Sequence, residues 1–331
     1  MPRPGLILIS AVAVALALVL CGCEQESTPA EAAPPPAAVN APVEIEPWVP
    51  HAAITADVVA VLRIDMARVE ASSVEASLDA LQWNRQWLRE PLADFERLRS
   101  AFVANGGEAM VIAARLVRGS PDTTPWQPMI LLRVDSQTDA SAFAAAIDQA
   151  VRTPTTTRLV PHVPGWLAVQ GEQLADPPRD GQPDPDDPLL APFAEASPPP
   201  VLLTMRMTPD LDALLSPHRA LLADALVHPL EQWTGGAVGV TPGNQPRLTV
   251  TLRFGESAAA STFEQACRGM LGQAALQLTD ADADLAAAVG RLQFVQHAGQ
   301  LTLELDPHAG RCVSRLWPVM APALFRTAAS Q

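Results

Sequence analysis

Ile-Leu-Leu-Arg-Val-Asp-Ser, residues 130–136, is echoed by Leu-Thr-Val-Thr-Leu-Arg-Phe-Gly-Glu-Ser, residues 248–257, in the second part of the chain. Each run of apolar and β-branched residues predicts a strand, and each is followed by a helical pattern containing Phe143 or Phe263. A second pair of matching turns contains His162 and His297. Because the spacings between matches differ, the pattern predicts an old duplication rather than a fixed-period repeat.

The predicted elements follow the order β-α-β-β-α-β in both parts. The first part has strands at Val58–Asp65, Ala109–Val117 and Met129–Val134, a final strand or hairpin at Arg158–Val169, and helices at Ser73–Val103 and Ala140–Val151. The second part has strands at Val201–Met207, Ala237–Val240 and Arg247–Phe254, a last strand pair or long strand at Phe294–Leu305, and helices at Asp210–Trp233, with breaks at Pro217 and Pro229, at Ala258–Leu276, at Asp280–Leu292 and at His308–Phe325. This order predicts an α+β fold of two tandem, duplicated βαββαβ halves with ferredoxin-like strand order.

Proline-rich stretches separate these parts. One stretch surrounds Pro34-Pro35-Pro36, and the other combines several prolines with Asp184, Asp186 and Asp187. Such compositions predict an extended tether and a linker or long loop. The resulting divisions are a signal peptide at 1–22, a tether at 23–50, a first lobe at 51–175, a linker at 176–200 and a second lobe at 201–331.

The amino-terminal segment predicts export. Arg3 precedes an apolar run over residues 5–20, which is shorter than the roughly 20 residues needed to span a bilayer. The run ends in Leu20-Cys21-Gly22-Cys23, which resembles the lipobox of bacterial lipoproteins. The resemblance implies acylation of Cys23, although Cys21 stands where that class usually has Ala, Ser, Thr or Val. An ordinary cleaved signal and an uncleaved anchor are the alternatives.

The lipobox resemblance also implies a location. Residue 24 is Glu rather than Asp, and in enteric lipoproteins the lack of Asp there implies sorting to the outer membrane. The expectation is therefore an exported lipoprotein of the periplasm or cell surface, held in the bacterial envelope by palmitate-type chains on Cys23. Several acyl chains on one residue make a stable membrane anchor.

Composition excludes several chemistries. All 22 basic residues besides histidine are arginine, and the chain has neither lysine nor tyrosine. A Schiff base, a P-loop lysine and a catalytic tyrosine are therefore impossible. The net charge of −14 argues against nucleic acid and against binding to anionic headgroups, since both require a positive surface.

Two cysteines remain outside the signal, Cys267 and Cys312. In an oxidising compartment they could form a disulfide. Two small, buried apolar side chains are the equal alternative.

Trp83 and Trp87 lie together on the predicted helix, away from its apolar stripe. A tryptophan outside the main core either packs against another part of the chain or contacts a partner. The pair is accordingly a candidate surface for another envelope protein, with packing between the lobes as the alternative.

Other polar groups predict no cofactor, metal or catalytic residue. Asp280, Asp282 and Asp284 resemble a helix start rather than a calcium loop, because Leu285 and Arg291 occupy positions where an EF-hand has Gly and Glu. The six histidines follow no zinc pattern, and no nucleophile elbow is present. Two Arg-x-Asp pairs, at 63–65 and 133–135, are expected to pair across a sheet or to face solvent.

These observations favour a non-enzymatic binding or scaffold module on a lipid anchor. A hydrolase with an unrecognised site between the lobes and a carrier or sensor of an apolar ligand are the alternatives. A deep apolar cavity would favour the carrier, whereas converging titratable groups would favour the enzyme. Neither the ligand nor the oligomeric state follows from the sequence.

Overall fold

The computed structural model describes residues 49–50, 53–80, 89–116, 126–150, 158–171, 174–177, 187–194, 197–219, 224–278 and 292–307. Within them the chain forms an α+β fold of ten strands and six helices. In chain order these are β1 (Val58–Asp65), α1 (Ala71–Ala80), α2 (Arg89–Ala104), β2 (Gly107–Leu116), β3 (Trp126–Val134), α3 (Ala140–Ala150), β4 (Arg158–Pro161), β5 (Trp166–Gln170), β6 (Val201–Arg206), α4 (Pro209–Arg219), α5 (Asp224–Glu231), β7 (Trp233–Thr241), β8 (Arg247–Phe254), α6 (Ser257–Leu278), β9 (Phe294–His297) and β10 (Gln300–Leu305).

All ten described strands belong to one antiparallel sheet. Its order is β4-β5-β3-β2-β1-β6-β7-β8-β10-β9. β1 and β6 pair at the centre with Leu62 opposite Leu203, so the order reads alike outward in both directions. The two parts of the chain therefore share a continuous sheet.

The ferredoxin-like strand order is not confirmed. Two helices, α1 and α2, connect β1 to β2, where the sequence predicted one helix over Ser73–Val103. After these two helices the chain returns antiparallel, directly beside β1. A split βαβ unit instead uses one helix to reach a parallel strand, with another strand between the two. The order within the first half is β1-β2-β3-β5-β4, and β6-β7-β8-β10-β9 is its counterpart.

Different parts of the chain cover the two faces of the sheet in the first half. On one face α2 and α3 contribute Phe102 and Phe143 to a core that includes Leu132 and Val169. The opposite face is covered by Val49, Ala53 and Ile54 and by part of the predicted linker, which contributes Leu189, Leu190 and Phe193. These apolar side chains explain why residues 187–194 pack on the sheet despite their prolines.

Two arginines hold the predicted linker region against the sheet. Arg206 pairs with the buried Asp187 at 2.6 Å and donates a hydrogen bond to the carbonyl oxygen of Val58 at 2.8 Å. At the other end of the region, Arg68 donates to the carbonyl oxygen of Pro198 at 3.3 Å. The described part of the region is thus tied to both central strands.

Arg63 and Asp65 form a buried ion pair on β1. Their side chains lie on the same face of the strand, 3.4 Å apart, and Arg63 is only 1% exposed. Burial lowers the pKa of Arg63, while the Asp65 carboxylate opposes that change. Arg133 pairs across the sheet with Glu108 at 2.7 Å, as one of the sequence alternatives predicted.

Glu96 joins α1 to α2. Its carboxylate accepts hydrogen bonds from the Arg99 guanidinium and from the backbone amide of Ala71, the first residue of α1. These contacts, led by the one to Arg99, lower the pKa of Glu96 to about 2. The capping carboxylate therefore stays ionised at every pH above that value.

Candidate functional site

The first half contains a cavity of about 830 Å³. It lies between α2, α3 and the helix-covered face of the sheet near β4. Its floor is apolar, formed by Phe102, Ile130, Leu132, Ile147, Leu159 and Val169. Cavities of this size and lining are typical of small-molecule sites.

Small residues on α3 create the space. Ala140, Ala144 and Asp148 are spaced by four and lie on one side of the helix, beside Ser141 and Ala145. Both ends of the helix are fixed. At the first turn the Asp139 carboxylate accepts hydrogen bonds from the amides of Ser141 and Ala142, and at the last turn the guanidinium of Arg97 donates to the carbonyl oxygen of Ala150 at 2.9 Å.

A core contact sets the distance between the two helices. Phe143 is 1% exposed and packs edge-to-face on Phe102 of α2, with ring centroids 5.3 Å apart. Such aromatic pairs stabilise beyond their buried area. With the helices held by this pair, the alanines of α3 leave room that no side chain of the lining fills.

The polar groups of the lining include Ser141, Asp148 and Arg158. Arg158 is exposed and begins β4, and Asp148 is also exposed, near the end of α3. Among the described residues, no hydrogen bond or ion pair engages the side chain of Asp148 or Arg158. The lining thus offers one carboxylate and one guanidinium that are free for a ligand.

The strand register relates α3 of the first half to α6 of the second half. Phe143 follows Val134 by nine residues, as Phe263 follows Phe254. The amide of Val134 donates to the carbonyl oxygen of Gly165 at 2.9 Å, and that of Phe254 donates to the carbonyl oxygen of Gly299 at 2.8 Å. Ala144 and Asp148 therefore correspond to Glu264 and Arg268 on α6.

Larger side chains occupy the corresponding region of the second half. Glu264 and Arg268 form an ion pair at 2.7 Å. The Arg268 guanidinium also lies 4.8 Å from the ring centroid of Phe294, which corresponds to Leu159. Here an ion pair and a cation–π contact replace the small and unpaired residues that line the cavity.

Several predicted site residues lie outside the part of the chain that the structure describes. These are Cys23, Trp83, Trp87, Cys312 and the aspartates at 280, 282 and 284. The acylation site, the tryptophan surface and the disulfide therefore remain predictions. Cys267 lies on α6 as a free thiol, and burial raises its pKa to about 12.

The remaining candidates form contacts within the protein. Asp187, one of the linker aspartates, pairs with Arg206, and the backbone amide of buried His162 donates to the carbonyl oxygen of Trp166. Within the described ranges, no three His, Cys, Asp or Glu side chains are grouped as metal ligands would be. None of the helices described is both long and apolar enough to cross a bilayer.

The comparisons with known proteins add no assignment: no family model, curated protein or solved structure matches the chain. The cavity was not predicted from the sequence. The feature that could have indicated it is the run Ala140-Ser-Ala-Phe-Ala-Ala-Ala, in which the one large side chain, Phe143, is buried in the core. The volume beside such a run depends on how α2 packs, which the run itself does not specify.

Proposed function

We propose that this chain is a lipid-anchored envelope protein that binds an apolar ligand, without catalysis, in the cavity between α2, α3 and the sheet. The cavity carries the proposal, because its 830 Å³ volume and apolar floor suit an alkyl chain or a compact apolar molecule. Among the alternatives raised by the sequence, it favours the carrier or sensor.

The arrangement of polar groups supports binding rather than hydrolysis. Ser141 and Asp148 are seven residues apart on α3, which places them about 10 Å apart along the helix axis. A nucleophile and its base must lie within hydrogen-bond reach of each other. The polar groups of the lining are better suited to orienting a ligand.

We also infer that the two halves arose by duplication and then diverged in function. The strand register supports the duplication. The pairing register shifts between Gly107 and Ala109 in β2, which pairs with β3, and between Trp233 and Gly235 in β7, which pairs with β8. The amide of Met66 donates to the carbonyl oxygen of Glu108 at 2.9 Å, and the amide of Met207 donates to the carbonyl oxygen of Thr234 at 2.8 Å. In this account one half retains a ligand cavity and the other has a filled counterpart.

The anchor is tested by mass spectrometry of the mature protein purified from membranes. We expect the amino-terminal peptide to begin at Cys23 and to carry the added mass of two or three acyl chains. A Cys23→Ser variant should lose that mass and leave the membrane fraction. An unmodified amino terminus at another residue would contradict the lipoprotein assignment.

Ligand binding is tested with residues 24–331, which include every residue that the structure describes. The probe is N-phenyl-1-naphthylamine, a neutral apolar dye whose fluorescence rises in apolar surroundings. The double variant Ala144→Glu/Asp148→Arg introduces the side chains of the second half, and we expect its affinity for the dye to fall about tenfold or more, or about 1.4 kcal/mol.

Two further variants make this test specific. Glu264→Gln/Arg268→Gln changes the corresponding positions of α6 and should leave the dye affinity unchanged. Ala144→Leu fills the cavity without adding charge, and should weaken binding even if the charged variant folds poorly. Unchanged dye affinity in the folded Ala144→Leu protein would overturn the proposed function.

A further inference from the structure

We infer that the ligand of this cavity is a zwitterionic amphiphile, whose tail occupies the apolar floor and whose head presents a phosphate to Arg158 and an ammonium group to Asp148. This inference rests on the proposed function and specifies its ligand. A single-chain phosphoethanolamine lipid is the occupant that combines these features.

The two charged side chains stand at the same end of the cavity. Asp148 lies in the last turn of α3, and Arg158 is the first residue of β4, so both flank the connection between these elements. α3 packs against β4, and both residues line the cavity. Ser141 lies at the opposite end of the helix. One end therefore concentrates both charges, whereas apolar side chains form the floor.

Both charged side chains are exposed at the mouth of the cavity, without a partner among the described residues. The Asp148 and Arg158 side chains make no ion pair, with each other or with other described residues. Neighbouring arginines of the same helix layer are paired, as in Arg97 with Asp94 at 2.6 Å and Arg99 with Glu96 at 2.8 Å. At the corresponding place in the second half, Arg268 is paired with Glu264. Asp148 thus lacks the ion-pair partner that its counterpart Arg268 has.

Charge complementarity selects the head group. A guanidinium binds phosphate through two parallel hydrogen bonds, and a carboxylate accepts hydrogen bonds from an ammonium group. A fatty acid would engage only Arg158, and an alkylamine would engage only Asp148. A head that carries both charges satisfies both side chains in one orientation, with its tail directed along the apolar floor.

The test displaces the neutral dye from residues 24–331 with four amphiphiles that share one tail length, each kept below its micelle-forming concentration. They are an alcohol, a carboxylate, a primary alkylammonium compound and a lysophosphatidylethanolamine. Because the zwitterion can engage both side chains at once, we expect it to displace the dye at a concentration about tenfold below that of the alcohol.

Single variants separate the two contacts. Arg158→Gln should remove the advantage of the carboxylate and reduce that of the zwitterion, without affecting the alkylammonium compound. Asp148→Asn should weaken the alkylammonium compound and the zwitterion, without affecting the carboxylate. Arg247→Gln, which alters an exposed arginine at the start of β8, serves as the matched control and should change none of them.

The outcomes distinguish this inference from the proposed function. If all four amphiphiles displace the dye equally from the wild type, and Ala144→Leu weakens them all, the head-group inference is wrong and apolar binding stands. If the dye does not bind the wild type, both are wrong. A zwitterion preference that survives Arg158→Gln and Asp148→Asn would also overturn the inference.

Discussion

Replacement of Asp65 by alanine is expected to lower the free energy of unfolding by about 3–5 kcal/mol. The change leaves the Arg63 guanidinium without the carboxylate that lies 3.4 Å from it, on a strand at the centre of the sheet. The guanidinium is 1% exposed and cannot recover that interaction from water. Asp65 also accepts a hydrogen bond from the amide of Arg68, so the turn after β1 loses a contact as well. Urea unfolding followed by circular dichroism measures the loss.

Two controls identify burial as the cause. Asp94→Ala removes the carboxylate of an exposed pair with Arg97 and should cost about 0–1 kcal/mol. Arg63→Met/Asp65→Leu removes both charges and should recover most of the stability lost by Asp65→Ala, because neither position then buries a charge. A loss below about 1 kcal/mol for Asp65→Ala would show that Arg63 does not depend on this carboxylate.

Replacement of Phe143 by alanine is expected to cost about 3–5 kcal/mol of unfolding free energy. Its ring is buried and packs edge-to-face on Phe102, so the substitution removes both apolar burial and an aromatic contact. The corresponding Phe263 is only partly buried, and its ring centroid lies 5.5 Å from that of Phe254.

The matched variant Phe263→Ala should therefore cost less than Phe143→Ala in the same urea titration. The comparison tests whether the packing of α3 through Phe143 contributes more to the free energy of unfolding than the packing of α6 through Phe263. Equal losses for the two variants, or a larger loss for Phe263→Ala, would contradict the burial difference on which this account depends.

Much of the secondary structure follows from the sequence. The run Val58–Asp65 predicts β1 with the observed bounds, and Arg247–Phe254 predicts β8 equally well. Both runs combine apolar and β-branched residues between turn signals, which is the strongest strand pattern in a single sequence. The first helical segment was predicted as one element from its continuous apolar spacing, whereas the described residues form α1 and α2, and residues 81–88 lie outside the described part.

The strand order and the cavity depend on contacts between distant residues. Leu62 pairs with Leu203 across the centre of the sheet, and neither side chain indicates its partner. Residues 187–194 were predicted as linker from their prolines and aspartates, although Leu189, Leu190 and Phe193 pack in the core. The cavity depends in the same way on the distance that Phe102 and Phe143 set between two helices. Local patterns specify elements, whereas their mutual packing determines the site.

The proposed ligand lies between α2, α3 and the sheet of the first half. The most direct measurement is a crystal structure of residues 24–331 with a lysophosphatidylethanolamine that carries bromine at the end of its tail. We expect the anomalous bromine signal beside Phe102 and Ile147, with the head group near Asp148 and Arg158. A bromine signal only at Phe294 of the second half, or only on the outer surface, would contradict the account.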